Sequence, residues 1–265
     1  MTPTGPAGDD IYATDELAAL YDLVWGGLAD DVQMYEQFAR RGELPSLELG
    51  AGSGRVALHL ARAGMDVVGI DTSLPMLARA EAALDPEAAR HVRLVQADMR
   101  DFDLGGEKFD LVYCAANTFQ HLLTTGDQLA ALACVVRHLA PGGRYVMQVR
   151  APRAIDWGVE RTPLYLRWTR PIPGGDGRLM RFDATTTSAA AQTATTQHLF
   201  DRVSRDGTVT RWIIEYTLRY TGLPEWELLL QSAGLRLAAV YGDSDLSPYT
   251  DESDTMVIVA EPEHR

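Results

Sequence analysis

Three carboxylates in this 265-residue chain fall where short apolar runs end: Glu48 within Leu47-Glu48-Leu49, Asp71 after Val67-Val68-Gly69-Ile70, and Asp98 after Val92-Arg93-Leu94-Val95-Gln96-Ala97. Each run reads as a strand, and each acid lies at its carboxyl end, where open α/β sheets receive ligands. Gly50-Ala51-Gly52-Ser53-Gly54-Arg55 follows the first run and leads into an amphipathic stretch. That order is strand, tight turn, helix N-terminus. Glycine is needed where backbone takes positive φ or lies directly against a ligand. The G-x-G-x-G spacing differs from the G-x-G-x-x-G of dinucleotide binders. Glu48 repels a pyrophosphate there and attracts a ligand with an ammonium group. Asp71 is placed to accept from both hydroxyls of a ribose; taken alone, it also suits a cap for Ser73–Leu77.

A fourth run, Phe109 to Ala116, is followed by Asn117-Thr118-Phe119-Gln120-His121-Leu122-Leu123. Asn117, Gln120 and His121 are donors and acceptors, and Phe119 is an apolar wall. If an acceptor must lose a proton, His121 is the best-placed base. A histidine after an aromatic also commonly just starts a helix.

The elements that position these groups read in order. Ile11 to Phe38 gives two helical segments broken near Gly26-Gly27, with Leu17, Leu20, Tyr21, Val24 and Leu28 at helical spacing. Asp127 to Leu139 is a helix stopped by Pro141-Gly142-Gly143, and Arg144 to Val149 a fifth strand. From Ala151 to Thr221 the pattern turns Thr/Arg-rich, and Asp206-Gly207 marks a hairpin between 193–204 and 209–220. A two-residue turn there sets His198 opposite Glu215 and leaves Trp212, Ile214, Tyr216, Leu218 and Tyr220 on one apolar face. The pair reads either as substrate contacts or as an exposed cross-strand contact. Pro224 to Ser232 is a helix closed by Gly234, with Leu235–Tyr241 and Thr255–Ala260 as last strands.

Glu48-Leu49-Gly50-Ala51-Gly52-Ser53-Gly54-Arg55 resembles the first motif of class I S-adenosylmethionine (SAM)-dependent methyltransferases. Leu139-Ala140-Pro141-Gly142-Gly143 is a further resemblance, and Phe119-Gln120-His121-Leu122 resembles the small-molecule branch. Tyr21-Asp22-Leu23-Val24-Trp25-Gly26 resembles the lid of such enzymes, including those that dimethylate amino sugars. The resemblance covers most of residues 11–150 and weakens beyond. It implies a Rossmann-like class I methyltransferase sheet, an α/β fold with an antiparallel C-terminal edge strand. An antiparallel sheet inserted at 151–222 is expected over the active site, with 11–42 as a helical lid and 11–265 as one domain.

The resemblance further implies SAM as cofactor, with S-adenosylhomocysteine as product. It makes Glu48, Gly50, Ala51, Gly52, Asp71, Thr72, Asp98, Met99 and Ala115 the cofactor contacts. Asp98 would accept from the adenine amino group, and the Met99 amide would donate to the ring. Tyr21 would lie near the sulfonium and His121 at the acceptor. Asn117, Gln120, Arg150, His198 and Glu215 are the candidate substrate contacts. The reaction implied is methyl transfer to N or O of a small, ring-containing molecule.

A net charge of −13 argues against nucleic acid, since phosphate binding needs a Lys/Arg-rich surface. No apolar run approaches the roughly 20 residues of a membrane span. Residues 1–10 read as a disordered lead-in without a signal pattern, so a cytoplasmic protein is expected, as monomer or homodimer. Cys114 and Cys134 have no metal-ligand spacing and read as reduced thiols. Two other functions stay open: a SAM-binding protein with a cyclase-like or regulatory role, and an NAD-dependent oxidoreductase, which the Glu48 charge and glycine spacing disfavour.

Overall fold

The computed structural model describes residues 12, 14–25, 30–172 and 177–263. The lead-in expected at 1–10 and the helix break expected near Gly26-Gly27 lie outside them. Two compact units divide the chain: one holds the described residues up to Ala154 and from Thr221 onward, the other Ile155–Tyr220.

The first unit begins with α1 (Asp15–Trp25) and α2 (Val32–Ala39). Then come β1 (Ser46–Leu49), α3 (Ala57–Arg62), β2 (Val67–Asp71), α4 (Leu74–Ala82), α5 (Ala88–His91), β3 (Val92–Gln96) and β4 (Phe109–Cys114). A single 3₁₀ turn, Thr118–His121, leads to α6 (Thr125–His138) and β5 (Leu139–Arg150). The unit closes with α7 (Leu223–Ser232) and the strands at Leu235–Tyr241 and Thr255–Pro262, numbered β10 and β11 below.

These strands form a seven-stranded sheet in the order β10-β11-β5-β4-β1-β2-β3. The five strands from β5 to the β3 edge are parallel, while β11 runs antiparallel to β5 and β10 antiparallel to β11. Strand order reverses between β1 and β4, and at such a switch point a crevice opens outside the carboxyl ends. Successive β4 side chains serve opposite faces, as pleating requires. Val112 and Cys114 join a core with Leu47, Leu49 and Ile70. Leu111 and Tyr113 join another with Tyr35, Phe38 and Leu60. With both faces covered by helices, the strands read as continuous apolar runs.

The second unit is an antiparallel sheet of β6 (Tyr165–Pro171), β7 (Arg178–Ser188), β8 (Thr193–Val203) and β9 (Val209–Arg219), in that order. Its last hairpin corrects the expected register. Val203 pairs with Val209, the Ser204 amide donates to the Thr208 carbonyl over 2.9 Å, and Gly207 sits at φ 85°. That is a turn with a left-handed glycine bulge, longer than the two-residue turn expected. Gln197 therefore opposes Glu215, and His198 opposes Ile214. Because side chains alternate, the one-residue slip carries His198 to the opposite face.

Candidate active site

The turn after β1 has all three glycines at positive φ: Gly50 at 71°, Gly52 at 56° and Gly54 at 83°. The Gly50 and Ala51 amides both donate to the Ile70 carbonyl, over 2.8 and 2.9 Å, which pins the turn to the tip of β2. A Cβ at Gly50 would overlap the Thr118 methyl, so only glycine lets the 3₁₀ turn close on the loop. A Cβ at Gly52 would meet nothing nearer than the Met76 methyl at 3.9 Å. Space is open there, and the open side belongs to a cleft lined by Tyr21, Glu48, Gly50, Ala51, Gly52, Ser53, Arg55, Ala115, Ala116 and Thr118.

Glu48 is buried, and its Oε2 accepts from the Ala57 amide at 3.0 Å and the Tyr113 hydroxyl at 3.2 Å. Burial pushes its pKa up to about 8; the Arg55 charge and these hydrogen bonds oppose the rise without cancelling it. Arg55 forms a two-pronged ion pair with Asp31, both side chains nearly buried. Burial works against the guanidinium charge, but the bonds to Asp31 outweigh it and raise the pKa. The cleft thus presents a carboxyl and a guanidinium together, a donor set matching the ammonium and carboxylate of an amino acid. Tyr21 closes the same cleft, with its ring against Tyr12 at 4.9 Å and Trp25 at 5.2 Å.

Asp71 accepts from the Gly52 amide (2.7 Å) and the Ser73 amide (2.8 Å), so it braces the glycine turn as well as standing at the tip of β2. Carboxylate oxygens each accept more than once, which leaves capacity for hydroxyl donors. The cap of α4 is Ser73, whose Oγ accepts from the Met76 amide. Thr72 is exposed, and its carbonyl accepts from Gln96. Asp98 is held by Arg100, which also reaches Asp127 at 3.1 Å, and the Arg100 hydrogen bonds lower the Asp98 pKa. Met99 is half-buried against the core. Ala115 is buried at the tip of β4.

Ala116 and Asn117 both adopt left-handed backbone, at φ 53° and 66°, and swing the chain into the 3₁₀ turn. His121 ends that turn with its surface exposed, while the protein mass around it pulls its pKa down to about 4. Water still reaches the ring and offsets part of that shift. The imidazole is neutral at pH 7.

Two substrate candidates take other roles. Gln120 is fully buried; its amide donates to the Arg150 carbonyl at 3.2 Å and accepts from the Arg150 amide at 2.8 Å. It fastens the loop to β5 and has no face left for an acceptor. His198 is buried in the second unit, bonded to Asp183 (2.6 Å), Tyr216 (2.9 Å) and Arg181 (3.2 Å). Glu215 is exposed and accepts from Gln197, and the Arg150 side chain is exposed as well.

Comparison with known proteins agrees with this geometry. A methyltransferase-domain profile matches residues 47–143. Cypemycin N-terminal methyltransferase from a Streptomyces species is 30% identical over 218 residues, 81% of this chain and 82% of that one. This chain belongs to the SAM-dependent methyltransferase family. A second relative, dTDP-3-amino-3,4,6-trideoxy-alpha-D-glucopyranose N,N-dimethyltransferase of Streptomyces venezuelae, is 36% identical over 145 residues, 52% of this chain and 58% of that enzyme. The solved CcbJ methyltransferase of Streptomyces caelestis aligns with a TM-score of 0.81 at 28% identity, over 97% of this chain and 100% of that one.

The methyltransferase therefore uses SAM as its methyl donor. The residue chemistry around the glycine turn suits the donor: open space at Gly52, a carboxyl and a guanidinium to match an amino acid, and the Asp71 carboxylate at the tip of β2 for hydroxyls. Sequence reasoning did not single out Ser53, Arg55, Asp31 or Thr118. Arg55 closes the quoted glycine motif, and its charge was the available signal; its partner Asp31 lies 24 positions away.

Proposed function

We propose that this methyltransferase transfers the methyl group to the nitrogen of an amine on a small, ring-containing metabolite or natural product. Bound SAM supplies a methyl carbon on a sulfonium, with a neutral thioether as leaving group. The chain's own residues then have four tasks. Glu48 and Arg55 hold the donor's amino-acid half, and Asp71 with Thr72 its ribose. Asp98 and the Met99 amide hold the adenine. Tyr21 closes the cleft, excludes water and offers a π-face to the positive charge that moves onto the acceptor nitrogen.

Asn117 and His121 orient the amine. The neutral His121 imidazole accepts a hydrogen bond from it and takes the proton released after transfer. Most of the rate gain comes from alignment, since the leaving group is already good. The observation that carries this reading is the acid–guanidinium–tyrosine cleft on the glycine turn, with a neutral imidazole on the adjoining 3₁₀ turn. Nitrogen as acceptor is supported by two relatives, cypemycin N-terminal methyltransferase and an amino-sugar N,N-dimethyltransferase.

Exposed Arg150, at the end of β5, is proposed as a further acceptor contact. We place the enzyme in the cytoplasm, as monomer or homodimer, acting on free small molecules and not on nucleic acid or membrane. The net charge of −13 supports this, as does the lack of any described helix long and apolar enough to cross a membrane.

The test is a methylation screen over amines, phenols and carboxylates with methyl-labelled SAM, reading S-adenosylhomocysteine and labelled product together. Labelled amine is expected. Label only on phenols or carboxylates overturns the nitrogen assignment, and donor binding without turnover on any class points to a regulatory SAM binder.

A further inference from the structure

We propose that Asp22 is a positioning residue for methyl transfer: it clasps α1 to the glycine turn and to α4, and so fixes Tyr21 and slows donor exchange. The proposal rests on the donor-site reading above. The two Asp22 oxygens are divided between two elements. Oδ1 accepts from the Ser53 hydroxyl at 2.6 Å, and Oδ2 accepts from the Arg79 Nε at 2.6 Å. Ser53 lies in the glycine turn and Arg79 on α4, so one carboxylate joins three pieces of chain.

Burial alone holds α1 weakly. Its buried residues are Ala18 and Leu20, and Leu23 is 46% exposed. Such a helix needs polar attachment, and Asp22 provides it through charge-assisted bonds, the stronger kind. Adjacent helix positions point about 100° apart. Asp22 can therefore face Ser53 and Arg79 while Tyr21, its neighbour, faces the cleft. Beyond α1 the pattern repeats: Asp31, ahead of α2, takes the guanidinium of Arg55. Ser53 and Arg55 flank Gly54, which sits at φ 83° and where a Cβ would meet Leu58 at 2.8 Å. The donor-binding turn thus reaches out on both sides of that glycine, to one carboxylate in the last turn of α1 and to another just ahead of α2. Occupancy of the turn and placement of Tyr21 are linked by these bonds.

The clasp is partly open to water, with side-chain exposures of 27% for Asp22 and 35% for Arg79. Its strength is accordingly modest and weakens with salt. It suits a lid that must open at each turnover.

The experiment measures SAM dissociation by stopped-flow displacement, with donor KM, acceptor KM and kcat, on the full chain. Asp22→Ala should raise the dissociation rate and donor KM about tenfold, equivalent to ~1.4 kcal/mol, with acceptor KM moved less. Ser53→Ala and Arg79→Ala should each give about threefold, and neither should add to Asp22→Ala, because the bond is already gone. Arg79→Lys should restore part of the loss. Full additivity of Arg79→Ala on Asp22→Ala, or an unchanged dissociation rate in Asp22→Ala, overturns the clasp. Asp71→Ala is the control for the underlying reading. If it abolishes donor binding while Asp22→Ala changes nothing, the clasp alone fails; if neither variant alters donor binding, the donor site itself fails.

Discussion

Gln120 and Arg150 exchange a closed pair of hydrogen bonds, side-chain amide to backbone, at 3.2 and 2.8 Å. The pair ties the loop after β4 to the end of β5, and the Asn117 amide adds a bond to the Gln148 carbonyl at 3.1 Å. His121 is the next residue along, so its placement depends on this brace. Gln120→Ala leaves the part-buried amide and carbonyl of Arg150 without that partner, at a cost of about 1 kcal/mol. Urea denaturation should show that loss, and kcat should fall with it. Unchanged stability in Gln120→Ala would return Gln120 to the substrate contacts.

Gly50 faces Thr118 with no room for a side chain. Gly50→Ala combines left-handed strain of about 1–2 kcal/mol with a clash against the Thr118 methyl. The expected outcome is a marked fall in melting temperature and loss of SAM binding. Adding Thr118→Ser removes the methyl and relieves the clash, so the double variant should recover part of the stability while the strain remains. A double variant no better than Gly50→Ala would show that strain alone accounts for the loss.

These two contacts mark the boundary of what the chain discloses before folding. Glycines 50, 52 and 54, the acids at 48, 71 and 98, and the succession of strands along the chain are legible because strand period, turn chemistry and strand-tip position are local patterns. Partners are not local. Asp22 meets Arg79 57 positions on, and nothing in either segment announces the other. The hairpin at Asp206-Gly207 shows a subtler limit. The D-G signal located the turn, but turn length differed by a left-handed bulge, and period-two alternation turned that into His198 opposing Ile214, on the Tyr216 face, instead of Glu215. Gln120 misled for a related reason: an amide suits a ligand or a backbone equally, and only burial distinguishes them.

Glu48 gives the enzyme a signature in pH. Its pKa stands near 8 in the folded chain against 4.5 ordinarily, because burial disfavours the charge. Between those values the folded state holds more protons than the unfolded one, so stability should fall as pH rises, by at most ~1.4 kcal/mol per pH unit. Glu48→Gln keeps an oxygen for Ala57 and Tyr113 and should flatten that slope. An ammonium-bearing ligand in the cleft favours the carboxylate, so SAM binding at pH 7 should release a proton. Calorimetric titration in buffers of different ionisation enthalpy reads this directly: wild type should show buffer dependence and Glu48→Gln should lose it. Equal proton release from both would move the effect to another group.

His121 separates catalysis from donor binding. Burial pulls its pKa below the ordinary histidine value of 6.5, so the imidazole is neutral at pH 7 and no activity limb should appear at 6.5. Any acid limb near neutrality then belongs to the acceptor amine, which must lose its own proton before it can attack, and that limb should shift with the pKa of the amine supplied. His121→Ala should lower kcat by about 10²-fold or more if the ring takes the proton, with SAM affinity nearly unchanged. His121→Asn keeps a polar group for orientation without a base of comparable strength, and comparing it with alanine divides the two roles. Recovery of most activity in asparagine assigns orientation to His121; failure to recover assigns it the proton. Equal loss of turnover and SAM affinity in both variants would make the residue a structural end to the 3₁₀ turn.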